Sequence, residues 1–190
     1  MPNFTRDWFS HNIPSWEKHL LQFKDKPVEA LEIGTYEGRG SLWLLENILT
    51  NPKAHLTCVD PWANYNCSDK CGFTLNEIEE RCHDNLKDYK DKVTFIKGSS
   101  FEEVPKLTKM FDIIYVDGAH TVDGCWTDAC NSFIHLKEGG IIIFDDYDWE
   151  LFRGTKEHPK QAIDDFIKEY KDSISVEELG YQAIIKRCKQ

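Results

Sequence analysis

The chain has 190 residues, enough for one domain with a full core, and its 41% hydrophobic and 13% aromatic content excludes disorder as the default reading. Its 23 basic residues against 33 acidic ones leave a net charge of −10, which argues against general nucleic-acid binding, where a basic surface is expected. No apolar run approaches the ~20 residues of a membrane span. Met1 to Ser10 carries Arg6, Asp7 and Trp8 in place of an apolar signal core, so a cytoplasmic protein with reduced thiols is expected.

The elements alternate along the chain. An amphipathic helix is predicted near Ser15–Phe23, inside an N-terminal cap over residues 1–26. A short buried strand follows at Val28–Ile33, then a helix at Gly40–Leu49 with Leu42, Leu45, Ile48 and Leu49 at helical spacing. Further strands are predicted at His55–Asp60, Val93–Lys97, Phe111–Asp117 and Gly140–Asp145, separated by helices at Leu75–Tyr89, Phe101–Leu107 and Val122–Leu136. In the Leu75–Tyr89 helix, Leu75, Ile78, Cys82, Leu86 and Tyr89 share one face. A helix at Gln161–Tyr170 turns Ala162, Ile163, Phe166 and Ile167 inward, and strands at Ile174–Glu178 and Tyr181–Lys186 close the chain as a hairpin across Leu179-Gly180.

This order predicts an α/β fold: a doubly wound, Rossmann-like seven-stranded sheet, mostly parallel with an antiparallel C-terminal hairpin strand and helices on both faces. The expected organisation is a single domain over 1–190 with its core in 27–190. Trp62–Phe73 and Tyr147–Pro159 each follow a strand and read as loops over a ligand crevice, while Trp8-Phe9 and Trp16 read as exposed aromatics that cover a pocket or serve a homo-oligomer interface.

In an open parallel sheet, ligands bind beyond the carboxyl ends of the strands. Those ends read Glu32-Ile33-Gly34, Asp60-Pro61-Trp62, Gly98-Ser99-Ser100, Asp117-Gly118-Ala119-His120 and Asp145-Asp146-Tyr147. Acidic or hydroxyl side chains stand at every one. The first turn, Gly34-Thr35-Tyr36-Glu37-Gly38-Arg39-Gly40-Ser41, departs from the G-x-G-x-x-G spacing of dinucleotide binding, and Glu32 sets an anion where a pyrophosphate would lie. A positively charged cofactor without phosphates suits that site better, which points to S-adenosylmethionine.

Asp60 is placed to accept the ribose hydroxyls of an adenosine, with a plain turn aspartate as the alternative. Ser99 faces the adenine edge or belongs to a helix-start turn in which Ser100 caps. Asp117, Asp145 and Asp146 would repel one another unless a cation sits between them, and oxygen ligands suit Mg²⁺, with Mn²⁺ or Ca²⁺ as alternatives. His120 is a candidate base for a hydroxyl proton, or alternatively a helix cap or water-borne ligand. Cys67, Cys71, Cys82 and His83 lack a familiar zinc spacing, and a zinc site is disfavoured.

The runs Leu31-Glu32-Ile33-Gly34-Thr35-Tyr36-Glu37-Gly38, Cys58-Val59-Asp60-Pro61-Trp62, Tyr115-Val116-Asp117-Gly118-Ala119-His120 and Ile143-Phe144-Asp145-Asp146-Tyr147 together resemble class I S-adenosylmethionine-dependent methyltransferases. Within that class they resemble the small O-methyltransferases related to macrocin and other sugar-modifying enzymes. The resemblance implies that Glu32, Gly34 and Asp60 bind cofactor, and Thr35, Tyr36, Gly38, Ser41, Pro61, Trp62, Ser99 and Asp117, on the same turns and strand ends, are expected to join them. It further implies that Asp117, Asp145 and Asp146 hold a divalent ion, and that His120 and Asp117 serve catalysis on a small hydroxylated acceptor, a sugar first. The rivals are an NAD(P)-dependent oxidoreductase, disfavoured by the glycine spacing, and a non-catalytic cofactor-binding module.

Overall fold

The computed structural model describes residues 1–63, 75–149 and 158–189. The candidate zinc cysteines Cys67 and Cys71, with most of the Trp62–Phe73 loop and residues 150–157 of the second loop, lie outside them. Seven strands form one sheet: β1 (Glu29–Ile33), β2 (His55–Asp60), β3 (Val93–Lys97), β4 (Phe111–Val116), β5 (Leu136–Phe144), β6 (Ile174–Leu179) and β7 (Ala183–Arg187). Their order across the sheet is β3-β2-β1-β4-β5-β7-β6. The first five run parallel, and β7 pairs antiparallel with both β5 and β6. Chain order reverses between β1 and β4, and an open sheet leaves its ligand crevice above such a switch point.

Runs such as Ile113-Ile114-Tyr115-Val116 and Ile141-Ile142-Ile143-Phe144 are buried along their whole length, as central parallel strands covered on both faces must be. One face carries α1 (Ile13–Leu20), α2 (Arg39–Asn47) and α3 (Leu75–Asn85), packing Trp16, Leu20, Leu44, Leu45, Ile78 and Cys82 onto the sheet. The other carries α5 (Val122–Phe133) and α6 (Pro159–Glu169), reached through the short α4 (Ser100–Glu103), and buries Phe133, Ala162, Ile163 and Phe166.

Four expectations need correction. The helix expected to reach Leu136 ends at Phe133, and β5 begins at Leu136, four positions before Gly140. The α3 helix stops at Asn85, and Lys87–Lys92 forms a 3₁₀ turn; Val104–Lys106 likewise tightens after α4. Ser99, not Ser100, occupies the N-cap of α4, and it makes no side-chain cap bond.

The fourth correction concerns the N-terminal aromatics. Trp8 is exposed at 56%, but Phe9 and Trp16 are core residues at 6% and 0%. Trp16 sits edge-on to Phe9, Trp43 and Tyr115, with ring centroids 4.7, 5.6 and 4.8 Å away. Its indole N–H donates to Gln182 Oε1 at 2.7 Å, tying α1 to the start of β7. Trp16 and Phe9 are therefore part of the fold and not an open interface. Among the described residues, no helix is long and apolar enough to cross a membrane.

Candidate active site

The β1–α2 turn packs directly on the exit of β4. Gly34 has φ +86°, and a Cβ there would lie 1.9 Å from the backbone oxygen of Asp117, so only glycine fits. Tyr36, Trp62 and Asp146 also adopt positive φ, at +51°, +39° and +55°. They stand just beyond β1, β2 and β5, so unusual backbone gathers at the carboxyl edge of the sheet, as it does at ligand sites.

Asp60 is fully buried. Its Oδ2 accepts the N–H of Tyr36 at 2.9 Å and its Oδ1 the N–H of Trp62 at 2.6 Å. The turn role named as the alternative in the sequence is thus present, and Asp60 laces the loops after β1 and β2 together. The Trp62 indole donates to the Tyr36 carbonyl at 3.0 Å, which buries a ring expected on an open loop.

Glu32 lies beneath the turn, 1% exposed, where its carboxyl accepts the Ser41 hydroxyl and, at 3.8 Å, the Cys58 thiol. A Cβ on Gly40 would come within 2.9 Å of Glu32 Oε1, which explains the second small residue in the α2 start. Burial pushes the Glu32 pKa up to about 8; the Ser41 hydrogen bond opposes this, and the charges of Asp117 and Asp60 add to it. Pro61 and Gly34 are half-buried at the mouth, Thr35 and Gly38 are buried in the turn, and Ser99 is exposed at the end of β3.

On the other side of the crevice, Asp117, His120 and Asp146 offer ligand atoms that all lie within 4.8 Å of one another. His120 Nε2 is 2.8 Å from Asp146 Oδ2 and 3.7 Å from Asp117 Oδ1. Asp145 stands outside this triad. Its Oδ2 accepts the Tyr115 hydroxyl at 2.5 Å, and its Oδ1 accepts Gln182 Nε2 at 2.9 Å and the Asp146 N–H at 3.0 Å. The close-set trio therefore contains His120 where the sequence placed Asp145, whose carboxylate is held by Tyr115 and Gln182 while that of Asp146 meets His120.

Burial, reinforced by the charges of Asp117 and Asp146, holds Asp145 well above the usual carboxylate range. Burial also raises Asp117, against the hydrogen bond from His120. For His120, burial opposes the charged ring, but the hydrogen bonds and charges of Asp117 and Asp146 win and lift its pKa to about 10. The cluster is short of positive charge, and His120 fills the gap with a proton.

Three positioning residues were not singled out in the sequence. Tyr115 joins Asp145 to Asp117, whose Oδ2 lies 3.2 Å from the phenol oxygen. Asp128 on α5, 2% exposed, accepts the Ala119 N–H at 3.1 Å and so holds the turn that presents His120. Glu37 takes the Thr5 N–H at 2.7 Å and the Thr5 hydroxyl at 2.9 Å and forms an ion pair with Arg81, its Nε 3.0 Å away, which fastens the N-terminal segment over the β1–α2 turn. Asp128 alone offered a signal in the sequence: its spacing sets an acid on the face of α5 shared by Cys125, Ala129 and Ser132, which the structure buries.

A methyltransferase-domain family model matches residues 31–147. Protein R132 of Acanthamoeba polyphaga mimivirus is 28% identical over 140 residues, 68% of this chain and 58% of its own length. The O-methyltransferase hkm8 of Aspergillus hancockii is 27% identical over 121 residues, 64% of this chain and 43% of its own. The chain thus spans roughly half the length of these curated relatives.

Among solved structures, the O-methyltransferase TomG of Streptomyces achromogenes, in complex with SAM, superimposes with a TM-score of 0.64 at 18% identity, covering 85% of this chain and 73% of TomG. MycE, in complex with Mg, SAH and mycinamycin VI, gives 0.66 at 16%, covering 97% and 50%. NovP, also an O-methyltransferase, gives 0.69 at 18%, covering 99% and 87%. At these identities the likeness is one of fold. The family match spans β1 to the end of β5, the same stretch that builds both walls of the crevice, and the chain belongs to the methyltransferase-domain family on the class I, Rossmann-like architecture.

Proposed function

We propose that residues 1–190 act as one S-adenosylmethionine-dependent O-methyltransferase domain, which methylates a small hydroxylated acceptor such as a sugar with help from a divalent ion. The observation that carries this reading is the Asp117–His120–Asp146 cluster standing across the glycine turn from Glu32 and Asp60. The donor set fits both groups. A crevice with buried carboxylates on both walls favours a cationic, phosphate-free cofactor over a pyrophosphate, and it disfavours the NAD(P) alternative. The carboxylates of Asp117 and Asp146, with Asp145 adjoining, suit a divalent cation, and His120 stands beside them.

S-adenosylmethionine, when bound, supplies a methyl group on a positively charged sulfur. Asp60, fixed by two backbone N–H groups at the end of β2, would face the ribose hydroxyls, and Glu32 lies neutral beneath the turn, where a cationic cofactor would favour its ionised form. Asp117 and Asp146, joined by Asp145, would hold the ion, whose contribution is to neutralise these carboxylates and polarise the acceptor hydroxyl. His120, released from part of that negative field, takes the hydroxyl proton at Nε2. Much of the rate then comes from holding donor and acceptor in line.

The test is calorimetric titration of S-adenosylhomocysteine with Mg²⁺ and again with EDTA, followed by transfer of labelled methyl to sugars and phenols. Micromolar binding in both conditions and transfer that EDTA suppresses are expected. No binding by the folded protein would overturn the assignment. Transfer unaffected by EDTA would remove the ion alone.

A further inference from the structure

The hairpin of β6 and β7 reaches the strand-end acids from the far side of β5. We propose, on the ion-assisted methyl-transfer reading, that Tyr181 in the β6–β7 turn is a positioning residue for the Asp117–His120–Asp146 cluster. Its hydroxyl fixes the Asp146 carboxylate, so that Oδ2 is the oxygen presented to His120 and to a divalent ion. The sheet itself sets up this meeting. β7 pairs antiparallel with β5, and the ladder ends with Phe144 opposite Ala183. Continuing that register puts Gln182 beside Asp145 and Tyr181 beside Asp146.

Three hydrogen bonds make the contact. The Tyr181 hydroxyl donates to Asp146 Oδ1 at 2.5 Å, and Gln182 Nε2 donates to Asp145 Oδ1 at 2.9 Å. The Tyr181 carbonyl accepts the Asp148 N–H at 3.2 Å, so the turn also grips the chain just past the acids. The donor roles are fixed by chemistry. A phenol keeps its proton at neutral pH and meets a carboxylate as the donor. The Trp16 indole can only donate and takes Gln182 Oε1 at 2.7 Å, which leaves the amide nitrogen to face Asp145. Asp146 is buried, and its two oxygens have different partners: Oδ1 meets Tyr181, while Oδ2 lies 2.8 Å from His120 Nε2. Without the hydroxyl, either oxygen could turn to His120, and the one offered to an ion would no longer be set. Tyr181 is held in turn by His11, whose ring meets it edge-to-face at 4.6 Å and 86°.

The test reads metal affinity and needs no acceptor. Mn²⁺, which takes the same oxygen donors as Mg²⁺, is titrated into the full chain while its free form is followed by electron paramagnetic resonance. Wild type should bind it, and Asp146→Ala should lose most of that affinity, which places the signal at the cluster. Tyr181→Phe keeps the ring on His11 and removes only the hydroxyl. It should weaken Mn²⁺ binding by about tenfold, as when a group that orients a metal ligand is lost. Its S-adenosylhomocysteine affinity and urea midpoint should stay near wild type. Leu179→Ala, at an exposed position of the same hairpin, should bind both as wild type does. Full Mn²⁺ affinity in Tyr181→Phe would overturn the positioning role. So would equal weakening by Leu179→Ala, or Mn²⁺ binding that is absent from wild type or survives Asp146→Ala. In each of those cases, S-adenosylhomocysteine binding by wild type leaves the methyl-transfer assignment standing, and its absence from folded protein brings that assignment down as well.

Discussion

The Tyr115 hydroxyl lies 2.5 Å from Asp145 Oδ2 and 3.2 Å from Asp117 Oδ2, so one phenolic hydrogen serves two carboxylates that close neighbouring strands. It cannot satisfy both at full strength, and burial already holds both acids above their usual range. Tyr115 is itself buried, edge-on to Trp16, so the phenol oxygen is fixed by the core. Replacing Tyr115 by Phe keeps that packing and removes only the bridge. Methyl transfer is expected to fall by about 10–100-fold, as when an outer-shell partner of a metal site is lost. Calorimetry should show unchanged S-adenosylhomocysteine affinity; a variant with wild-type turnover would deny the bridge any part in the reaction.

Gly34 ties the two walls of the crevice. Alanine there meets the Asp117 carbonyl at 1.9 Å in a backbone at φ +86°, so the turn or the β4 exit must move. Gly34→Ala should destabilise the protein by more than about 2 kcal/mol and abolish cofactor binding. Paired urea melts and calorimetry check both, and a stable variant that binds normally would contradict the close approach.

Strand positions and the parallel core were legible because runs such as Ile113–Val116 and Ile141–Phe144 carry their burial in their composition. The start of β5 was not. Leu136-Lys137-Glu138-Gly139-Gly140 mixes polar residues and glycine after a helix, and the ladder with β4 shifts register between Phe111 and Ile113, so neither period marks the strand. Burial of Trp16 was illegible for a different reason: it depends on Gln182, 166 positions away. At the site, the acids could be read off the strand ends. Which of them face one another could not, since that depends on the hold of Tyr115 and Gln182, distant in sequence, on Asp145 and on the turn that Asp128 supports.

Glu32 predicts a dependence of stability on pH. Its folded pKa, about 8, is raised above the ordinary 4.5, so the unfolded state releases its proton first as pH rises. The contribution of this neutral carboxyl is therefore complete below about pH 4.5 and is lost progressively up to about pH 8. Asp117, Asp145 and Asp128 are raised too and act in the same direction, so the sign alone does not identify Glu32. The difference from Glu32→Gln does, because glutamine stays neutral throughout. Urea melts with EDTA from pH 5 to about 9 should show wild type losing on the order of a few kcal/mol more than the variant. Parallel profiles would mean that Glu32 is ionised in the fold.

Asp128 tests whether His120 depends on its turn. The Asp128 carboxylate holds the Ala119 N–H from a buried position on α5, and a Cβ on Gly118 would fall 2.7 Å from its Oδ2, so turn and acid are closely matched. Asp128→Ala leaves that half-buried N–H without its partner, a cost of about 1 kcal/mol, and lets the turn relax. Turnover should drop by about tenfold, since a small misplacement of the base is enough. Cofactor affinity should hold, because the side-chain hydrogen bonds at Asp128 among the described residues involve Ala119, Ser132 and Ser100 and not the Gly34 turn. Asp128→Asn keeps an acceptor oxygen for Ala119 and should restore most of the rate. If asparagine is as impaired as alanine while both remain folded, the charge of Asp128 matters more than its grip on the turn, and its role would have to be electrostatic.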